Sequence, residues 1–323
     1  KIKMDKWKLT EIFTDNKKYQ KIIIFPHKRP DGDAIGTSYG LKDIITTTWP
    51  NKEVHVAGET SEFTSFIGIP EQLEDTDFDG ALGIALDTAN KDRLGDQRFT
   101  RCEKLIKIDH HIKVEEYGDI DYVDTGRPAC ALIILDLFNE FRDELKMSKE
   151  GAKAFYFGIL TDTGRFKYDG VNGDTFRSVA TLFDIGLEKR EIHNHLDQRT
   201  EELTRFKGFL LQNYVKTPNG VVYFKVLPKY LKKFNVSLEE ASSLVNELGV
   251  FEEYPIWLLF AEYEEGIVRC RMRSKGPGID KLANKYDGGG HKFASGASLG
   301  TWKRTELLIN DADQLAKEFK DGQ

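Results

Sequence analysis

The chain has 323 residues, of which 40% are hydrophobic and 31% are charged, and its net charge is −6. This composition is typical of globular proteins and excludes disordered, collagen-like and coiled-coil chains. No stretch approaches the ~20 apolar residues that span a bilayer, so an integral membrane protein is also excluded. At about 100–200 residues per domain, the length predicts two domains.

The cysteine pattern and the N-terminus predict a cytoplasmic protein. Cys102, Cys130 and Cys270 are far apart in the sequence and form no CxxC pair. They argue against a disulfide scaffold or a zinc-cysteine site and fit a reducing compartment. Residues 1–5 lack the apolar core of a signal peptide.

Short apolar runs alternate with helical patterns through the first half of the chain. Strands are predicted at residues 22–25, 54–57, 82–86 and 105–108, and helices at 34–48, 129–145, 149–160 and 174–186. This alternation is typical of an α/β fold with a mainly parallel sheet flanked by helices. Active sites in such sheets form at the carboxyl ends of the strands.

The pattern changes at residues 187–215, where it becomes charged and helical. Beyond this segment, strands are predicted near 221–226, 255–263 and 266–273, and helices near 238–247 and 303–319. We therefore predict an N-terminal domain at 1–190, a helical linker at 191–215 and a smaller C-terminal α/β domain at 216–323.

The first predicted strand runs directly into a cluster of potential metal ligands. His27, Asp31 and Asp33 lie where the strand gives way to a helix, and Gly32 lets the backbone turn so that both carboxylates can face one site. Imidazole and carboxylate ligands together suit Mn²⁺ or a similar divalent cation. The alternative is a structural role, with Asp31 in a turn and Asp33 as a helix N-cap.

Three further element ends repeat this pattern. Asp87 follows the third strand, Asp109, His110 and His111 follow the fourth, and Asp162 follows a helix. So many carboxylates in one place would repel one another without cations. Two ions about 3.5–4 Å apart would remove this repulsion and form a clamp for in-line displacement at phosphorus. The sequence therefore predicts a two-metal hydrolytic site.

These motifs, in this order, resemble those of a known family. His27-x3-Asp31-x-Asp33, Asp87, Asp109-His110-His111 and Asp162 resemble the four motifs of the DHH phosphoesterase superfamily, and Gly288–Gly296 resembles the signature of the DHHA1 domain. The layout is most similar to the NrnA/Pde2 group of small bacterial enzymes, which cleave oligoribonucleotides of a few residues, pAp or pApA. The resemblance implies a catalytic DHH domain followed by a substrate-binding DHHA1 domain.

The resemblance also implies a role for each motif residue. One Mn²⁺ would be held by His27, Asp31 and Asp87, and the second by Asp33, Asp87, His110 and Asp162. Asp87 would bridge the two ions, and a water activated by their charge would be the nucleophile. His111 would face the scissile phosphate as a catalytic residue. Asp109 would support His110 or its loop.

The C-terminal domain carries candidate substrate ligands. Arg269, Arg271 and Arg273 alternate along a predicted strand and therefore share one face. The resemblance places these arginines and the glycine loop at the substrate, which predicts contacts from Arg271, Arg273, Ser274, Gly289, Gly290 and His291. A solvated charged face and a flexible glycine turn are the structural alternatives. Arg127 lies near a motif and receives no role.

Three other functions compete with this interpretation. Gly36-Thr37-Ser38-Tyr39-Gly40 matches the GxSxG pattern of α/β-hydrolases, but Ser38 falls inside a predicted helix instead of at a strand-to-helix turn. Inorganic pyrophosphatases resemble the N-terminal site, but Gly288–Gly296 argues against that activity. A nucleotide sensor on an inactive scaffold is disfavoured because every predicted ligand position carries a suitable residue.

We therefore predict a Mn²⁺-dependent phosphodiesterase that hydrolyses very short oligoribonucleotides or dinucleotides such as pApA, and also pAp to AMP. A cyclic dinucleotide is the alternative substrate. The expected partner is short single-stranded RNA or a dinucleotide, without a membrane or a long duplex, and a homodimer is a candidate assembly. Residues 266–304 carry a net charge of +7 and the remaining chain carries −13, so the acidic total does not exclude a nucleic-acid partner.

Overall fold

The computed structural model describes residues 6–263 and 266–322, and the chain divides into two units, Lys1–Asp197 and Gln198–Gln323. Residues 1–5, on which the signal-peptide prediction rests, lie outside the described residues. Among the helices of the described part, none combines the length and the apolar composition that a membrane crossing requires.

A five-stranded parallel sheet forms the centre of the first unit. Its strands are β1 (Lys21–Phe25), β2 (Glu53–Val56), β3 (Leu82–Leu86), β4 (Lys104–Asp109) and β5 (Ile120–Val123). They are arranged in the order β2-β1-β3-β4-β5, with every neighbouring pair parallel. The α/β fold with a parallel sheet is confirmed. β5 was not predicted, because its four residues alternate in burial and contain no continuous apolar run.

Both faces of this sheet are buried. The helices of the first unit are α1 (Lys6–Lys18), α2 (Gly32–Thr48), α3 (Glu62–Ser65), α4 (Cys130–Glu140), α5 (Lys149–Asp162), α6 (Gly173–Ile185) and α7 (Lys189–Asp197). Ile22 and Ile24 of β1 share a core with α2, α4 and α5. Ile23 and Phe25 point to the other face, which short 3₁₀ helices cover with side chains such as Phe78. This alternation is the period of two expected for a strand.

A mixed six-stranded sheet forms the centre of the second unit. Its elements are α8 (Glu201–Asn213), β6 (Val215–Lys216), β7 (Val221–Val226), α9 (Pro228–Phe234), α10 (Leu238–Ser243), β8 (Ile256–Glu262), β9 (Val268–Ser274), α11 (Asp280–Lys285), β10 (Gly289–His291), β11 (Ala294–Gly300) and α12 (Thr305–Asp321). The strand order is β10-β11-β9-β8-β7-β6, in which only β7 and β8 are parallel among the described strands. The smaller C-terminal α/β domain is confirmed.

The segment predicted as a helical linker consists of two helices that belong to different cores. Ile192 of α7 is buried in the core of the first unit, whereas Phe206 and Leu210 of α8 are buried in a core of the second. The change of core falls between Asp197 and Gln198.

The GxSxG-like pattern lies at a close contact between α2 and α5. A Cβ atom at Gly36 would lie 2.5 Å from the carbonyl oxygen of Ala154 and 2.9 Å from the amide nitrogen of Gly158. Ser38 is buried within α2, where its hydroxyl donates a hydrogen bond to the carbonyl of Ala34 at 2.7 Å. These residues serve helix packing, and the geometry of a nucleophile elbow is absent from this described helix.

Replacing Gly36 with Ala should destabilise the protein by about 1–3 kcal/mol, because the added methyl group must displace the backbone of α5. The free energy of unfolding in urea measures this change. Ser38→Ala is the matched control, since it removes one hydroxyl and leaves the helix contact in place. Equal stabilities of Gly36→Ala and the wild-type protein would contradict the close packing.

Candidate metal centre and substrate-binding face

Side chains from the ends of β1, β3, β4 and α5 meet at the carboxyl edge of the parallel sheet. Their ligand atoms form three overlapping groups, each within 4.8 Å: His27, Asp31 and Asp87; Asp33, His110 and Asp162; and Asp87, His110 and His111. Asp87 and His110 each belong to two groups. The structure thus brings together the six side chains predicted as metal ligands, together with His111.

Two histidine rings lie among the carboxylates. Nε2 of His27 is 3.6 Å from Oδ2 of Asp31 and 3.8 Å from Oδ2 of Asp87. Nε2 of His110 is 3.1 Å from Oδ2 of Asp162 and 3.3 Å from Oδ1 of Asp87. Burial alone lowers the pKa of His110, but contacts with Asp162 and Asp87 outweigh it and raise this pKa to about 12. The cluster therefore strongly favours positive charge at its centre.

Asp31 combines a structural role with an open ligand atom. It is the N-cap of α2, where Oδ1 accepts hydrogen bonds from the amides of Asp33 at 3.1 Å and Ala34 at 3.0 Å. Its other oxygen faces His27. The structural alternative for this motif is therefore correct in part, with Asp31 as the cap instead of Asp33.

Asp33 is fully buried and receives three hydrogen bonds. The amides of Cys130 and Ala131, in the first turn of α4, donate to it at 2.5 and 3.1 Å, and the Thr37 hydroxyl donates at 3.0 Å. Burial, and then the charge of Asp162, raise the pKa of Asp33 to about 7. The N-terminus of α4 stabilises the ionised form against this shift.

Asp87 has an orientation that fits a bound cation. Its backbone adopts a left-handed conformation, with φ of 55°, which is uncommon for a residue other than Gly. Its carboxylate is 1% exposed, and neither oxygen has a hydrogen-bond partner among the described residues. Burial, and then repulsion from Asp33, raise the pKa of Asp87 well above its usual range. Buried, unbonded oxygens in an unusual backbone conformation are what a divalent cation would satisfy.

The orientation of His110 depends on a residue to which the sequence assigned no role. Nδ1 of His110 lies 3.1 Å from the carbonyl oxygen of Arg127. The guanidinium of Arg127 binds both carboxylate oxygens of Asp136, which lies on α4. The hydrogen bond from Nδ1 to the Arg127 carbonyl fixes the His110 ring so that Nε2 points at the carboxylates, as in histidines that ligate metals. In the sequence, the only sign of this role of Arg127 is that a basic residue stands shortly before a predicted helix.

Asp109 contacts His111 and not His110. Its Oδ1 accepts hydrogen bonds from the backbone amide of His111 at 3.1 Å and from Nδ1 of that ring at 2.8 Å. The ring of His111 remains partly exposed, whereas Asp109 is fully buried. The expected support from Asp109 therefore reaches the neighbouring histidine, because the chain turns directly after β4.

The second unit places the predicted arginines beside the glycine-rich segment. This segment is an edge strand, β10, and not a flexible turn. The register aligns Arg273 with Ala294 and His291 across the sheet, and aligns Arg271 with Gly296 and Gly289. Aligned residues project on the same face of a sheet. Arg271 and His291 are exposed and Arg273 is half-buried, so two arginines and a histidine lie next to small residues on one face of the sheet.

Close backbone contacts explain why positions 288 and 290 are occupied by glycine. A Cβ atom at Gly288 would lie 2.0 Å from the carbonyl oxygen of Gly296, and one at Gly290 would lie 2.7 Å from that of Ala294. Gly290 also has a φ of 139°, which side chains rarely allow. A Cβ atom at Gly289 would make only an ordinary contact, 3.6 Å from the side-chain amide oxygen of Asn284.

Ser274 lies on the opposite face of β9. It is buried, donates to the carbonyl of Pro277 at 2.7 Å and accepts from the amide of Gly276 at 3.0 Å. The period of two separates it from Arg271 and Arg273. Its hydroxyl closes the turn after β9, and we do not retain it as a substrate ligand.

Sequence profiles assign both units to known families. The profile of the DHH family, N-terminal domain, matches residues 21–159, and that of the DHHA1 domain matches residues 219–318. A crystal structure of an exopolyphosphatase-related protein from Bacteroides fragilis has a TM-score of 0.87 and 23% identity and covers 98% of each chain. At this identity the likeness concerns the fold alone.

Curated relatives match nearly the whole chain. The bifunctional oligoribonuclease and PAP phosphatase NrnA of Bacillus subtilis is 36% identical over 312 residues, covering 96% of this chain and 99% of its own. The probable bifunctional oligoribonuclease and PAP phosphatase NrnA of Streptococcus mutans is 35% identical, covering 93% and 96%. The resemblance drawn from the motifs is confirmed. The chain belongs to the DHH family of phosphoesterases, with an N-terminal DHH domain and a C-terminal DHHA1 domain.

Proposed function

We propose that this protein is a Mn²⁺-dependent phosphodiesterase that hydrolyses very short, 5′-phosphorylated oligoribonucleotides to mononucleotides and also converts pAp to AMP. The observation that carries the proposal is the set of overlapping ligand groups that share Asp87 and His110. The names of the two NrnA relatives, which give an oligoribonuclease and a PAP phosphatase, support the choice of substrate. Its cytoplasmic location and a homodimer stay predictions.

The residues fit two divalent cations. His27, Asp31 and Asp87 would hold one, and Asp33, Asp87, His110 and Asp162 would hold the other. When bound, the cations would supply the positive charge that activates water and stabilises a pentacoordinate phosphate. Mixed imidazole and carboxylate ligands suit Mn²⁺ better than Mg²⁺, which prefers oxygen ligands alone.

His111 and the arginine face, which is the side of β9 that carries Arg271 and Arg273, would act on the substrate. Asp109 holds Nδ1 of His111 at 2.8 Å, which leaves Nε2 of this ring for the substrate. With both ring nitrogens protonated, Nε2 would give its proton to the oxygen that leaves phosphorus as the P–O bond breaks, and the ring would become neutral with its remaining proton on Nδ1. Arg271, Arg273 and His291 would bind the terminal phosphate or a base, because Arg pairs with phosphate and stacks on bases.

Kinetics on a substrate panel test the proposal. The panel contains pApA, a 5′-phosphorylated RNA trinucleotide, pAp, cyclic di-AMP, pyrophosphate and a long RNA, each assayed with Mn²⁺, with Mg²⁺ and after EDTA treatment. We expect the highest kcat/KM for the di- and trinucleotides with Mn²⁺, measurable pAp turnover and no activity after EDTA. Fastest release of phosphate from pyrophosphate, preference for the cyclic dinucleotide or long RNA, or full activity in EDTA would contradict it.

Replacing Asp136 with Asn should weaken Mn²⁺ binding about 10- to 100-fold, as expected when the support of a metal-bound histidine is lost. The change loosens the side chain of Arg127, whose carbonyl accepts from His110. Calorimetric titration with Mn²⁺ measures the affinity. Asp143→Asn, on an exposed residue just beyond α4, is the control. Equal affinities of the two variants would contradict a role of Asp136 in orienting His110.

Replacing Arg273 with Ala should raise KM for pApA about tenfold with little change in kcat, which is the mark of lost substrate binding. A charge-assisted hydrogen bond of this kind contributes roughly 1.5–3 kcal/mol. Arg269→Ala is the matched control, because Arg269 lies on the same strand with its guanidinium over the ring of Tyr263. A loss confined to kcat would place Arg273 outside substrate binding.

A further inference from the structure

Lys107 is a fully buried lysine in the middle of β4, two residues before Asp109. Its ammonium donates hydrogen bonds to the carbonyl oxygens of Ala89 at 3.0 Å and Glu115 at 2.8 Å. A buried ammonium group is costly unless such partners surround it. The family motifs do not include this residue, and the proposed mechanism gives it no role.

The two carbonyls belong to the loops that carry the site. Ala89 follows Asp87 by two residues, and Glu115 lies in the loop that follows His111. Tyr117 joins the same two loops, since its ring lies 4.7 Å from Nζ of Lys107 and its hydroxyl donates to the carbonyl of Thr88 at 2.8 Å. Lys107 therefore ties the loop after β3 to the loop after β4.

Lys107 also faces the carboxylate that contacts His111. Nζ lies 3.9 Å from Oδ2 of Asp109, at a site where both side chains are fully buried. That oxygen has no hydrogen-bond partner among the described residues, so the ammonium is its compensating charge. The other oxygen of Asp109 accepts from the backbone amide and from Nδ1 of His111.

We propose that Lys107 is a positioning residue for His111. Its ammonium holds Asp109 in one orientation, and Asp109 keeps the proton of the His111 ring on Nδ1 and leaves Nε2 for the substrate. This arrangement parallels the buried carboxylate that orients a catalytic histidine in hydrolase triads. The consequence for turnover rests on the proposed function, whereas the tautomer of His111 does not.

The kinetic test uses Lys107→Met, which keeps the length of the side chain and removes its charge. We expect kcat for pApA to fall roughly 10- to 100-fold with KM within about twofold of the wild-type value. Lys104→Met is the control, because Lys104 lies on the same strand and pairs with Asp15 and Glu11. In a His111→Ala background, Lys107→Met should lower kcat by less than about twofold, because the effects of residues that act as a unit are not additive. Equal losses in both backgrounds would overturn the proposal.

A spectroscopic test does not depend on activity. Long-range ¹H–¹⁵N spectra of the imidazole groups, recorded on the full chain with diamagnetic Mg²⁺, report which nitrogen carries the proton. The signals of His111 are identified by their loss in His111→Ala. We expect a protonated Nδ1 in the wild-type protein, displaced His111 signals in Lys107→Met and unchanged signals in Lys104→Met.

The two tests separate this proposal from the proposed function. A wild-type protein without activity on the panel would reject the function, while the spectra would still decide the role of Lys107. A neutral His111 ring in the wild-type protein whose single proton lies on Nε2, or identical His111 signals in Lys107→Met, would overturn the positioning role even in an active enzyme. If Lys107→Met does not fold, Lys107→Gln replaces it, and the wild-type spectrum alone can still reject the proposal.

Discussion

Replacing Asp87 with Asn should lower kcat for pApA roughly 1000-fold or more. Asp87 is the carboxylate found in two of the three ligand groups. It is proposed as a ligand of both ions, so its loss should weaken the binding of each. Asn also tolerates the left-handed backbone found at this position, so the variant removes charge without adding strain. Steady-state hydrolysis with saturating Mn²⁺ measures the change.

The effect of Asp87→Asn on the stability of the protein should depend on whether Mn²⁺ is bound. Burial and Asp33 raise the pKa of Asp87, so its ionised form opposes folding at neutral pH when no cation is bound. The metal-free variant should therefore unfold at a temperature equal to or above that of the metal-free wild-type protein. Mn²⁺ should raise the Tm of the wild-type protein by mass action and leave that of the variant nearly unchanged.

Asp119→Asn is the control for this substitution. Asp119 precedes β5 at the amino edge of the same sheet, where its carboxylate accepts from the amide of Leu105 at 2.7 Å. We expect this variant to lose some stability and to keep its response to Mn²⁺. Near-normal turnover of Asp87→Asn would reject the assignment of Asp87 as a ligand shared by two ions.

Replacing His111 with Ala should lower kcat about 10²–10⁴-fold, the range for loss of a general acid, and should change KM little. His111 is partly exposed and is not one of the ligands proposed for either ion, so its removal should leave Mn²⁺ affinity close to normal. This combination of a lost kcat with retained metal binding distinguishes it from Asp87. Kinetics and metal titration on the same preparation measure both quantities.

A change of leaving group tests the same role directly. A p-nitrophenyl phosphodiester releases p-nitrophenolate, a stable anion that needs no proton, so His111→Ala should lose far less activity on it than on pApA. His193→Ala is the control, since His193 is a half-buried histidine bonded to the hydroxyl of Tyr156 at 3.1 Å. Equal losses on both substrates would show that His111 does not protonate the leaving group.

The candidate metal centre was predictable because most of its residues follow apolar runs closely. Asp87 comes one residue after β3, and Asp109 is the last residue of β4. In a parallel sheet, strand ends of this kind meet at one edge, so the sequence order alone brings the side chains together. The arginine face was predictable for a similar reason, since the period of two fixes the face of β9 on which each side chain lies.

Contacts between a side chain and a backbone carbonyl were not predictable. Arg127 supports His110 with its carbonyl, and Lys107 binds the carbonyls of two loops, so neither contact leaves a pattern in the sequence. Ser274 was predicted beside Arg271 and Arg273, but side-chain direction reverses at each step of a strand, and Ser274 is buried on the opposite face of β9. β10 was missed because three residues with two glycines carry no strand signal of their own.

The amide groups at the start of α4 link the candidate metal centre to the timing of folding. Asp33 receives the amides of Cys130 and Ala131, which are almost a hundred residues away in the sequence. This carboxylate can therefore be held in place only after α4 has docked on α2, and such long-range contacts form late because the intervening loop must close first. An unfolded or nascent chain should accordingly have little affinity for the cation. Retained cation would then report that the first unit is fully folded.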